Sequence, residues 1–358
     1  MVNILMRNDG RKPAGKTDAF RWTEGVLWTL LVLITMAVCV SVGSVSIPLK
    51  EVWNAVFGLP VSRVTWDSII RWTRLPRVLC AALMGGALSV CGAAMQGLLR
   101  NPLADGSTLG VSSGAALGAA VSIVLGISIP GAVLAGPAMV AVLFSFGALA
   151  LILALAYSMD RSLATNNIIL IGVIFTMFVS SLLSLLITFS GDKLHTITYW
   201  TMGSLSGKSY EQAALLAGAL LVFGGILLGC GRELNAFAVG EENALHVGVP
   251  VRRVKLLLMI AASALIGICV SVGGSIAFVG LIIPHMVRLW SGPNHRRLLP
   301  RSIFAGAVFL MLADLLARTA LSPLELPVGV VTSLIGAVVF IVIFVRSRKR
   351  LRKGGRAS

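Results

Sequence analysis

Ten apolar stretches, most of them close to 20 residues long, recur along this chain and leave little sequence between them. They fall near residues 25–43, 75–97, 108–127, 132–157, 167–189, 212–230, 255–273, 275–290, 302–320 and 328–345. A helix of about 20 apolar residues crosses the ~30 Å hydrocarbon core of a bilayer. Lipid offers no hydrogen bonds, so each segment must satisfy its own backbone. The runs are continuous and do not alternate, which excludes a β-barrel. Composition agrees, with 57% hydrophobic and 12% charged residues, against about 25% charged in soluble domains. The expected fold is all-α: one polytopic membrane domain with about ten transmembrane helices. A basic segment (1–24) precedes the transmembrane domain (25–345), and a basic tail (346–358) follows it.

A net charge of +16 would suggest nucleic acid in a soluble protein. Here its distribution gives orientation instead. With both termini inside, the segments on the inner side hold 22 of the 30 Lys and Arg residues. The outer segments hold Lys50, Arg63, Arg71, Arg74, Arg77, Lys193 and Lys208. That bias follows the positive-inside rule and predicts two cytoplasmic termini. The tail from Arg346 to Lys353 is expected to rest on anionic membrane lipid. No nucleic-acid partner is expected.

Cys39, Cys80, Cys91, Cys230 and Cys269 all lie in or beside apolar stretches and show no metal-ligand spacing. They read as small buried residues. The first stretch is long and lacks a clear cleavage site, so it reads as a retained helix. Residues Gly10–Thr17 match the phosphate-loop pattern G-x-x-x-x-G-K-[ST], with Lys16 in the lysine position. That pattern works between a buried strand and a helix of an α/β domain. No such domain fits here, so the expectation is no nucleotide site, no cofactor, no metal and no catalytic residue.

One island among the apolar stretches is polar. Between the sixth and seventh it carries Gly240, the carboxylates Glu241 and Glu242, Gly248, and then Arg252 and Arg253. In a chain that is nearly all membrane, such a segment is where another protein would dock.

Three further stretches carry information. Arg74-Leu-Pro-Arg77 opens a Gly/Ala-rich helix, and Gly110, Gly114 and Gly118 follow at a spacing of four, on one helix face. Small residues there let helices approach closely. Arg74 and Arg77 flank Pro76 at a helix mouth and read as wet. Pro284, followed by His285, should bend or break the eighth helix, since it removes a donor and restricts its predecessor. Asp314 and Arg318, spaced i,i+4, can pair within the ninth, and Arg318 lies near enough to the boundary to snorkel out.

Taken together these stretches resemble the FecCD-type permeases, membrane subunits of ABC importers for ferric siderophores, haem and vitamin B12. The motifs that carry the resemblance are Arg74-Leu-Pro-Arg77, Asn101-Pro-Leu-Ala104, Gly110-Val-Ser-Ser-Gly114, Gly240-Glu241, Phe278 through Pro284-His285, Asp314 with Arg318, and Glu325-Leu-Pro-Val-Gly329.

The resemblance implies a ten-helix subunit working in a pair, with a second copy or a paralogue, in a bacterial cytoplasmic membrane. It implies a coupling segment at about 234–253 that sits on a cytoplasmic ATPase homodimer, with Leu234, Val239, Gly240, Glu241, Glu242, Ala244 and Gly248 as its elements. It also implies that Arg74, Arg77 and Arg318 grip acidic residues of an extracytoplasmic substrate-binding protein. His246-Val247 departs from the family's usual residues there. The implied cargo is an iron-siderophore-type chelate, with haem or vitamin B12 as alternatives. A different class, an ion-gradient-driven transporter, would need mid-membrane carboxylates, and Asp314 is the one that falls clearly mid-span.

Overall fold

The computed structural model describes residues 14–106, 109–127, 136–161 and 164–354, with side chains described from residue 23 to residue 343 within those ranges. The phosphate-loop match at 10–17 thus lies outside the described residues over 10–13 and is described only as backbone over 14–17, as is the basic tail over 346–354. Among the described residues the chain is helical, with one isolated bridge between Leu321 and Leu324 and no strand.

The helices run in chain order as α1 (Ala14–Ser41), α2 (Leu49–Phe57), α3 (Val64–Ser68), α4 (Leu75–Leu98), α5 (Val111–Leu125), α6 (Gly136–Met159), α7 (Thr165–Phe189) and α8 (Leu194–Thr201). They continue as α9 (Tyr210–Ala219), α10 (Gly225–Gly229), α11 (Gly231–Val239), α12 (Glu241–His246), α13 (Val251–Gly273), α14 (Val279–Ser291), α15 (His295–Thr319) and α16 (Val328–Gly354). A π turn at Ile69–Arg74 joins α3 to α4 without a break, and another at Leu220–Gly224 joins α9 to α10.

Each of the ten apolar stretches contains a helix, but the eighth opens with non-helical residues 275–278 and turns helical only at Val279. Among the described residues seven helices are long and apolar enough to cross a membrane: α1, α3–α4, α6, α7, α9–α10, α13 and α15. The short ones are α5, with 15 residues, and α14, with 13. At 1.5 Å per residue these reach only about 20 Å, less than the ~30 Å core. α16 is apolar over Val328–Ile343.

Burial sorts these helices. Most of the span in α4 and in α13 is enclosed by protein, whereas α1, α6, α7 and α9–α10 present most of their surface outward. The centre is built from small residues. A Cβ at Gly85 would lie 2.2 Å from the Gly306 carbonyl oxygen, and one at Gly92 only 1.9 Å from that of Gly280. The backbones of α4, α14 and α15 therefore touch directly, as small-residue interfaces in membranes allow. Gly114 and Gly118 do the same for α5 against Phe144 and Ala148 of α6.

Pro284 corrects an expectation: α14 runs through it as one helix. Proline cannot donate to the carbonyl four residues back, here that of Gly280. Gln96 on α4 stands in, its amide Nε2 lying 3.4 Å from the Gly280 oxygen and 3.0 Å from the Leu281 oxygen. The donor lost from the helix is supplied from the side.

Candidate coupling and docking sites

At one end of the bundle α11 and α12 form a bent pair. Gly240 between them has φ 130° and ψ 149°, a region essentially restricted to glycine, so the sharp turn needs this residue. Leu234, Phe237 and Ala244 are buried against the body of the protein. Val239, Leu245 and Val247 point outward and are exposed, as are Glu242 and Gly248. The residues expected to couple thus divide into two roles. Leu234 and Ala244 hold the element down, while Val239, Glu242 and Gly248 are available to a partner.

Glu241 belongs with the anchors. One carboxylate oxygen accepts from Lys255 Nζ at 2.8 Å and the other from Thr165 Oγ1 at 2.9 Å. Lys255 is fully enclosed on α13, so Glu241 compensates a buried charge and ties α12 to both α13 and α7. Beside it opens a recess of about 660 Å³ lined by Arg100, Thr165, Asn166, Gly240, Glu241 and Asn243 among others. A second tie, which the sequence did not suggest, runs from α11. Asn235 Oδ1 accepts from the His295 backbone at 2.8 Å and lies 3.0 Å from its ring Nδ1, while Asn235 Nδ2 donates to Asn294 Oδ1 at 3.0 Å. His295 is buried against Gly97.

At the opposite end stands an ionic network, buried except at Glu325. Asp314 accepts from Arg77 Nε at 2.9 Å on Oδ1 and 3.1 Å on Oδ2, and Arg318 Nε lies 3.6 Å from Oδ2. Arg77 also donates to Glu325 at 2.9 and 3.1 Å. Arg318 donates to the Cys39 carbonyl, and Arg74 to those of Val40, Ser41 and Val45. The i,i+4 pairing of Asp314 with Arg318 is present, but Arg77 is the closer partner.

This geometry corrects the expectation of wet arginines. Arg74, Arg77 and Arg318 are 4%, 5% and 3% exposed. Arg74 and Arg77 lie on the wall of α1 and α15 and not in water, and Arg318 does not snorkel out. Every guanidinium is occupied by carbonyls or carboxylates of the same chain. Glu325 was the missed member. Its signal was charge parity, since Asp314 alone cannot balance both Arg77 and Arg318.

Asp314 is thereby a structural anion, compensated by two cations. Among the described residues no group of three or more His, Cys, Asp or Glu could hold a metal. Outside the spans, burial pushes the Lys208 ammonium below the usual lysine range.

A bundle of membrane-length helices with a paired-helix element at one end and a mostly buried ion network at the other defines a polytopic membrane protein. The chain belongs to the FecCD transport family, whose model matches residues 30–346, and is an ABC importer permease of that family. It is 41% identical to the uncharacterized ABC transporter permease protein YvrB of Bacillus subtilis, over 94% of this chain and 96% of the relative. It is 38% identical to the vitamin B12 import system permease protein BtuC of Klebsiella pneumoniae, over 92% and 95%. With the hemin transport system permease protein HmuU of Yersinia pestis the identity is 37%, over 91% and 96%. A solved structure of a metal-chelate type ABC transporter in an inward-facing conformation superposes with TM-score 0.78 at 34% identity, covering 89% of this chain and 97% of that one.

Proposed function

We propose that this chain forms the translocation path of an ATP-driven importer in the bacterial cytoplasmic membrane, with ten spans and both termini inside. It works beside a second permease subunit, either another copy or a paralogue. A cytoplasmic ATPase homodimer docks on α11–α12 and hydrolyses the nucleotide, and an extracytoplasmic binding protein delivers the cargo. The observation that carries this reading is the α11–α12 element. Its exposed apolar side chains Val239, Leu245 and Val247 sit on a frame fixed by Glu241–Lys255, a surface suited to a partner that must push on it.

The cargo we propose is a ferric siderophore. Support comes from class: the relatives' cargoes, vitamin B12 and hemin, contain a metal, as does the molybdate carried by the MolB system of Haemophilus influenzae, 34% identical to this chain over 91% of it and 95% of that relative. Haem and vitamin B12 are the alternatives. A binding protein that grips Arg77 would have to displace Glu325 from it. An ion-gradient mechanism is disfavoured by the compensation of Asp314.

The test is uptake into proteoliposomes holding this permease, its ATPase and its binding protein. ATP-dependent uptake of a ferric siderophore supports the proposal. ATP-dependent uptake of haem or vitamin B12 alone would replace the cargo and leave the mechanism standing. Uptake driven by an ion gradient without ATP would overturn the mechanism.

A further inference from the structure

We propose that α2 is an interfacial anchor, lying in the lipid headgroup region with Leu49, Trp53 and Phe57 turned into the bilayer. These three residues are spaced four apart on one ridge of the helix, and all three are exposed, Phe57 to 72%. The opposite side, Val52 and Ala55, is buried against the body of the protein. The uncovered face thus carries an apolar ridge, with exposed Lys50 along its edge, a side chain long enough to reach the headgroups. Trp53 and Phe57 stack with ring centroids 5.9 Å apart, which makes the ridge one continuous apolar edge.

The ridge is presented by a fixed element. After α2 the chain reverses at Gly58, which caps the helix in the left-handed conformation. Ser62 then donates to both carboxylate oxygens of Glu51, from its backbone at 2.9 Å and its hydroxyl at 2.5 Å. Asn54 donates to the Pro60 carbonyl at 3.2 Å. A short helix clamped at this turn cannot fold its apolar edge inward.

Lipid is the occupant that the surroundings select. The exposed side of α1 carries Leu30, Ile34 and Val38, again four apart, and α1 is a membrane-length helix with little of its surface buried. In the short connection between α1 and α2, Val42 and Val45 are exposed as well. A protein covering α2 in continuity with α1 would have to enter the bilayer. The flanks also have interfacial chemistry. Arg63 lies over the Trp66 ring at 4.7 Å, and Trp72, exposed in the π turn before α4, meets Tyr210 edge-on at 5.8 Å. Aromatic rings collect at the headgroup level of membrane proteins, and amphipathic helices with basic flanks bury their apolar face there.

The inference rests on α1 lying in the bilayer and is independent of cargo and ATPase. Nitroxide labels at Phe57→Cys and Trp53→Cys test it, with Lys50→Cys as the polar control, in the complete transporter in lipid nanodiscs. Cys230, the half-buried cysteine, is first replaced by Ala; the other four native cysteines are buried. Relaxation at 53 and 57 should be enhanced several-fold more by oxygen than by a water-soluble nickel chelate, with the reverse at 50, and adding the binding protein should change neither. Stronger nickel access at 53 and 57 would overturn the proposal. So would nickel access that disappears only when the binding protein is added, which would make α2 a docking face. Spin–spin broadening between labels of one complex would assign the ridge to a second copy and equally end the lipid reading.

Discussion

Arg77 holds Asp314 by a forked hydrogen bond, its Nε lying 2.9 and 3.1 Å from the two carboxylate oxygens, while its Nη1 holds Glu325. One guanidinium thus joins α4 to α15 and to the turn that leads into α16. The Tyr199 hydroxyl, 3.0 Å from the Glu325 carbonyl, brings α8 to the same point.

Removing Arg77 should therefore act on folding. Breaking a buried pair leaves an uncompensated charge and costs about 3–5 kcal/mol. Arg318 remains near Asp314, so Arg77→Ala is expected at the lower end, about 3 kcal/mol, with reduced yield and a lower melting temperature in detergent. Adding Asp314→Asn should recover much of that loss. An unchanged melting temperature for Arg77→Ala together with weaker binding-protein capture would instead mark it as a docking residue.

Gln96 and Pro284 should be energetically coupled. Gln96→Leu strips the donor from the Gly280 and Leu281 carbonyls and should cost about 1–3 kcal/mol, the penalty for a buried polar group left unpaired. In that background Pro284→Ala restores a backbone N–H in reach of the Gly280 oxygen and should return part of the stability. Thermal unfolding of the two single variants and the double variant measures the coupling, and strict additivity would show that Gln96 does not serve the Pro284 gap.

The α11–α12 surface should separate from its frame. Val239→Asp and Leu245→Asp change exposed side chains and should reduce ATPase recovery in a pull-down with an unaltered melting temperature. Glu241→Lys sets a second cation against buried Lys255, so it should lower both the melting temperature and ATPase recovery. Equal melting temperatures across all three variants would show that Glu241 is not an anchor.

Asn235 should matter through its acceptor. Asn235→Ala leaves the His295 backbone N–H without its partner and should cost about 1–3 kcal/mol, whereas Asn235→Asp keeps an acceptor and should lose less. Differential scanning of the purified protein reads the order, and a reversed order would place the weight on the bond to Asn294 instead.

The apolar stretches, the Asp314–Arg318 pairing and the polar island at 234–253 were legible because each is local. Helical periodicity, an i,i+4 spacing and a break in hydropathy are properties of short windows. The partners that decide burial were not legible. Arg77 and Glu325 stand 248 residues apart, and Lys255 reaches Glu241 only because α13 folds back along α12. From sequence, an arginine beside a proline at a helix mouth looks wet. In the structure, Val40, Ser41 and Val45 supply the carbonyls that let Arg74 be buried.

Sequence by itself determined the class of this protein. Its apolar runs demand membrane helices, because backbone polar groups in lipid can be satisfied only within the segment, and its motifs carry the FecCD family. Tertiary structure alone decided what the charged residues do. A charge is tolerable in a low-dielectric interior only when its partners are in place, and those partners come from distant helices. The same contacts make Glu241 an anchor and turn Arg74, Arg77 and Arg318 inward. Likewise Pro284 breaks nothing, because Gln96 from another helix fills the bond that proline cannot make.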